Sequence, residues 1–116
     1  MGYTNYWQQP DFTDDEWTKI KDEYKYVKEM CDGFIRDESI NNDEIIFNGV
    51  PDHETFCLFK NLEAKNKAYN KDYISLDQER FNFCKTARKP YDIAVWHMLY
   101  FANTISNSKL DIGRDW

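Results

Sequence analysis

The sequence predicts a two-layer α+β domain, an antiparallel sheet with two helices packed on one face. Two segments place apolar residues at helical spacing, one opening on a capping box and the other on a proline. Several short runs rich in aromatic and β-branched residues lie around them, punctuated by Gly, Pro, Asn and Asp. Runs of strands combined with two helices suit this architecture. At 116 residues, the chain is expected to be one domain, residues 1–116, with a core of its own.

Tyr3–Trp7 alternates and is aromatic-rich, so it is expected to be the first strand, ended by Gln8-Gln9-Pro10. Thr13-Asp14-Asp15-Glu16 is a capping box, in which the Thr13 hydroxyl takes the N–H of Glu16 and the Glu16 carboxylate reaches back. Trp17, Ile20, Tyr24, Val27 and Cys31 follow at steps of three and four, which predicts a helix over Asp14–Cys31 stopped by Asp32-Gly33. Glu44–Asn48 and Glu54–Phe59 read as two strands around Gly49-Val50-Pro51-Asp52, with Phe56 and Leu58 sharing one face. Lys60–Glu79 is polar with scattered aromatics and reads as a long excursion, either a flap or a surface insertion. Arg80–Cys84 is a further strand with Phe81 and Phe83 on one face. Pro90–Asn103 is the second helix, with Pro90 at its first position. Leu110–Trp116 reads as a short last edge strand interrupted by Gly113.

Net charge is −6 with a pI near 4.8, which argues against general binding to nucleic-acid backbones. A small anion held at one place is still allowed. No apolar run is long enough to span a membrane, and no signal peptide is recognisable, so a cytoplasmic protein is expected. Cys31, Cys57 and Cys84 are an odd number without zinc-type spacing and read as reduced thiols. No cofactor is implied.

The stretch Phe81–Asp92 carries the strongest functional signal. Lys85, Arg88 and Lys89 reverse the sign of an acidic chain, and Thr86 adds a hydroxyl just before a helix start. Helix N–H groups, a hydroxyl and cations together suit a phosphate or carboxylate. A solubilising loop has the same composition. Aromatics make up 17% of residues, enough to build a core and also the stacking walls of a ligand site.

The opening Gly2-Tyr3-Thr4-Asn5-Tyr6-Trp7 and the run Phe83-Cys84-Lys85-Thr86-Ala87-Arg88-Lys89-Pro90-Tyr91-Asp92 resemble a family of small, uncharacterised bacteriophage and bacterial proteins. Those proteins share a Gly-Tyr-Thr-x-Tyr-Trp opening and a Phe-Cys-Lys-Thr-Ala-Arg-Lys-Pro-Tyr-Asp motif. Asn5 stands where the family opening often has a histidine. Phe47-Asn48-Gly49 and His53-Glu54-Thr55-Phe56 are similar to it as well. The resemblance implies a phage setting in an infected bacterial cell. Small phage proteins often blunt host immunity, some by sequestering signalling nucleotides.

No Gly-rich phosphate loop, nucleophile elbow, His-Glu-x-x-His or paired-cysteine motif is present. His53 and Glu54 form an acid–base pair only if a bulge brings adjacent strand residues to one side. His97 beside Trp96 reads as a hydrogen-bonded core histidine, and Cys84 lacks an evident base. The reading is therefore a binder of a small phosphorylated ligand, a nucleotide. Lys85, Thr86, Arg88 and Lys89 hold its phosphates, Tyr3, Tyr6, Trp7 or Tyr91 stack on its base, and His53 orients it. Such a sponge is often a symmetric dimer or larger. The alternatives are an enzyme that cleaves the nucleotide through His53 and Glu54, and an acidic inhibitor of a host nuclease built on Asp14, Asp15, Glu16, Asp22 and Glu23.

Overall fold

The computed structural model describes residues 4–69 and 80–115. Tyr3, residues 70–79 of the predicted excursion and Trp116 lie outside them. The chain runs β1 (Thr4–Gln8), α1 (Asp14–Met30), β2 (Ile35–Ile40), β3 (Glu44–Gly49), β4 (Phe56–Phe59), α2 (Leu62–Tyr69), β5 (Phe81–Lys85), α3 (Asp92–Ile105) and β6 (Gly113–Asp115). The α+β class is as expected. The single sheet of the prediction is instead two three-stranded antiparallel sheets, ordered β5-β1-β6 and β2-β3-β4.

The α1 helix begins as its capping box dictates. The Glu16 N–H donates to Thr13 Oγ1 at 3.1 Å, and the Thr13 N–H donates to Glu16 Oε1 at 2.9 Å. Its apolar stripe, Trp17, Ile20, Tyr24 and Val27, is fully inside. After the helix, Gly33 takes φ +87°, which lets the chain reverse without a Cβ penalty.

Two elements escape the sequence reading. Strand β2 carries Arg36-Asp37-Glu38 in its middle and buries little, so its alternation is hidden. Asp37 is left-handed (φ 56°), where the register with β3 slips between Arg36 and Ser39. Helix α2 replaces the first half of the predicted excursion. Asn61 caps it, accepting the Ala64 N–H on its side chain at 2.8 Å, and Asp11 accepts the Leu62 N–H at 3.0 Å.

One core joins both sheets and the two long helices. Trp7 and Cys84 enter it from the first sheet, and Ile45, Phe47, Phe56 and Leu58 from the second. The α1 stripe and Ala94, Val95, Met98, Leu99 and Ala102 of α3 complete it. Trp7 and Phe56 rings sit 5.4 Å apart, and Tyr24 packs on Phe47 at 5.5 Å. The sheets are also tied through a polar side chain. Buried Gln9 donates to Phe59 O at 2.6 Å and accepts the Phe59 N–H at 3.2 Å, filling the role of a strand partner at the end of β4. No described helix is long and apolar enough to cross a membrane.

Candidate functional site

The segment after β5 departs from the predicted phosphate cradle. Thr86-Ala87-Arg88-Lys89 is a tight turn closed by the Lys89 N–H donating to Thr86 O at 2.9 Å. Ala87 and Arg88 both have positive φ, 51° and 61°. The helix proper starts at Asp92, and the N–H groups of Asp92 and Ile93 donate to Lys89 O and Pro90 O. Pro90 therefore belongs to the lead-in turn, and these two donors are already used.

An internal carboxylate takes the hydroxyl of the cradle. Asp92 Oδ1 accepts from Thr86 Oγ1 at 2.6 Å and from Asn5 Nδ2 at 2.9 Å, while Arg114 donates to Asp92 Oδ2. Thr86 and Asn5 are wholly buried. The acid sits at the positive end of the α3 dipole, satisfied by two neutral donors and a guanidinium. Thr86 is thus a partner of Asp92 rather than a phosphate ligand.

Two of the expected stacking residues also turn inward. Trp7 and Tyr91 are 2% and 0% exposed, because alternation along β1 sends Trp7 to the core and the lead-in turn drops Tyr91 beneath Gly49. The Tyr91 hydroxyl donates to Glu54 O at 2.6 Å, and burial pushes its pKa far up. Both rings are core residues, which removes them from the ligand set.

The outer face of the first sheet keeps Tyr6 and adds two residues. Phe81, Phe83 and Lys85 point outward along β5, with Tyr6 opposite Phe83 and Thr4 opposite Lys85. The Tyr6 and Phe81 rings are 5.9 Å apart, and Phe81 and Phe83 6.1 Å. Phe83 is 49% exposed, and Lys85 Nζ stands 5.9 Å from its ring centre. Gly113 faces Tyr6 from β6, so no side chain covers the platform there. Sequence reasoning placed Phe81 and Phe83 on one face of a strand but did not use them. Their i, i+2 spacing with Lys85 was the signal.

His53 and Glu54 lie in the β3–β4 connection, not on a strand. The Lys85 N–H donates to Glu54 Oε1 at 2.7 Å, and the Glu54 N–H donates to Lys85 O at 3.2 Å. This docks the segment carrying exposed His53 onto the end of β5, beside the basic turn. Glu54 is committed to backbone contacts there. Cys84 is buried beneath it, and burial followed by the Glu54 charge pushes its thiol well up, away from nucleophilic use. None of the three cysteines forms a disulfide. No cluster of three or more metal-ligating side chains occurs among the described residues.

A separate cleft of about 550 Å³ opens between α3, α1 and β6. Its walls include Trp96, Tyr100 and Phe101, with Glu23 and His97 on one side and Arg114 on another. His97 is not a closed core residue. It is part-exposed at the cleft, with Nε2 2.6 Å from Glu23 Oε2.

Comparison with protein-family models, with curated proteins and with solved structures returned no match.

Proposed function

We propose that the chain is a binding protein for a small phosphorylated, base-bearing ligand, a nucleotide, held on the outer face of the β5-β1-β6 sheet. The observation that carries this reading is the aromatic platform of Tyr6, Phe81 and Phe83 with Lys85 at its end. Exposed rings side by side on a strand pair offer a base a flat apolar surface, and each stacking contact is worth about 1–3 kcal/mol. Lys85, with Arg88 and Lys89 in the turn that follows, supplies positive charge where the phosphates would lie. The resemblance to phage proteins supplies the setting, sequestration of an immune signalling nucleotide in an infected bacterial cell.

Sequestration is favoured over cleavage by the state of the reactive groups. Cys84 is held as a thiol, Glu54 is bound to backbone, and His97 is paired with Glu23 far along the chain from His53. The acidic-inhibitor reading is weakened by pairing. Asp14 meets Lys60, Asp15 meets Lys19, Glu16 meets Lys109 and Asp22 meets Lys25, so the patch is a mosaic of both signs.

Calorimetric titration with mono-, di- and cyclic nucleotides tests the proposal. Phe83→Ala and Lys85→Ala are expected to weaken binding at least tenfold with an unchanged urea midpoint, since both side chains are exposed. Bound ligand is expected to return intact after heat denaturation. Equal affinity in wild type and variants, or no binding across the panel, overturns the platform. Turnover beyond one equivalent overturns sequestration.

A further inference from the structure

We propose that the cleft between α1, α3 and β6 is a second binding site, selective for an organic cation with an ammonium or guanidinium head on a small apolar body. It lies on the other side of the first sheet from the aromatic platform. Tyr6 points outward from β1, whereas Asn5 and its register partner Arg114 belong to the inner side.

The preference for a cation follows from what the cleft already holds. Arg114 stacks its guanidinium 4.6 Å from the Trp96 ring centre, so this ring already holds an internal cation in the geometry that an aromatic wall offers to positive charge. The Tyr100 ring lies 6.1 Å from Trp96 at 40°, and Tyr100 is 60% exposed. It offers a second aromatic face on the open side of the first. Across the cleft, Glu23 reaches in from α1. Its Oε2 lies 2.6 Å from His97 Nε2, and the carboxylate lines the cleft as a counter-charge for an incoming cation. Asp92, also on the lining, balances Arg114. The lining carries two carboxylates, Glu23 and Asp92, against one guanidinium, Arg114. An anion would meet two carboxylates, and a purely apolar ligand would desolvate the Glu23 carboxylate with His97 as its hydrogen-bond partner. The volume, about 550 Å³, falls in the usual range for small-ligand sites.

Choline and its uncharged carbon isostere, 3,3-dimethylbutan-1-ol, separate charge from shape. Each is titrated into the full chain while the Trp96 indole and Tyr100 ring resonances are followed. Choline is expected to shift both and to bind at least tenfold more tightly than the isostere. Tyr100→Ala, at an exposed position, is expected to weaken choline binding at least fivefold without moving the urea midpoint. Glu23→Gln is expected to bring choline and the isostere to within about threefold of each other. Since Glu23 also pairs with His97, His97→Gln serves as the control and is expected to retain the preference for choline. Equal binding of choline and isostere by the wild-type chain, no shift at Trp96 up to saturating choline, or wild-type affinity in Tyr100→Ala would each overturn the assignment.

Discussion

Gly49→Ala is expected to be among the most damaging single-methyl additions in this protein. A Cβ at position 49 would lie 2.7 Å from Tyr91 Cβ and closer still to its Cγ and Cδ1. Real Cβ atoms essentially never come within 3.0 Å of such neighbours. Tyr91 cannot step aside cheaply, because it is fully buried and its hydroxyl is tied to Glu54 O. If strand β3 and the turn before α3 are pushed apart, the cost is that of overpacking, about 1–3 kcal/mol. If instead Tyr91 swings away, a buried hydroxyl and a carbonyl lose each other, at about 1–3 kcal/mol. Either cost is a large share of the roughly 5–15 kcal/mol that holds a typical domain together. Urea denaturation at a slope of about 1–3 kcal/mol per molar would place the midpoint about one molar lower. A double-mutant cycle isolates the cause. In a Tyr91→Ala background the ring is gone, so adding Gly49→Ala should cost less than about 1 kcal/mol. A Gly49→Ala protein within about 0.5 kcal/mol of wild type, or an equal cost in both backgrounds, would refute the close approach and with it the core role of Tyr91.

Two further outcomes test the frame around the sites. Thr13→Ala should lower stability by about 0.5–2 kcal/mol, seen as a reduced urea midpoint, because the Glu16 N–H loses its acceptor at the start of α1. Asp11 and Glu16 are held below the ordinary carboxylate range, Asp11 first by its Arg80 hydrogen bond and then by the Leu62 N–H, Glu16 first by the Thr13 N–H. Depressed folded-state values stabilise the fold above the unfolded pKa near 4, and that contribution is lost as pH falls through the folded values. The stability gap between wild type and Asp11→Asn should therefore be present at pH 7 and shrink toward pH 2; a gap that widens in acid would reverse the sign of the reasoning.

Where local chemistry decided the structure, the sequence was readable. The capping box placed the first residue of α1, and alternation located β1, β3, β4 and β5 to within about two residues. The β2 strand was hidden because an edge strand with a bulge buries too little to enforce alternation. The α2 helix was hidden because its cap is an asparagine supported by Asp11, a residue far back in the chain. The basic run did mark a helix start, but the anion there is Asp92, and its partners Asn5 and Arg114 come from opposite ends of the sequence. Of the residues expected to contact ligand, Tyr6, Lys85, Arg88, Lys89 and His53 are at least partly exposed, whereas Trp7, Thr86 and Tyr91 went inward. The α3 cleft needed Glu23, His97 and Arg114 to converge from three elements, which no single stretch of sequence displays.

The turn that ends β5 holds two consecutive left-handed residues, and neither is glycine. Tight turns of this shape ordinarily recruit Asn-Gly, since alanine and arginine resist positive φ by about 1 kcal/mol or more each. Rewriting Ala87-Arg88 as Asn-Gly relaxes the backbone and removes the contacts of the Arg88 side chain, so a protein that becomes harder to unfold shows that the strain outweighed them. In that case a chain that keeps the costlier pair forgoes readily accessible robustness. The edited protein then serves as a meter for what that sacrifice secures, because any ability it loses while gaining stability belongs to the Arg88 side chain and the stiffness with which the turn presents it.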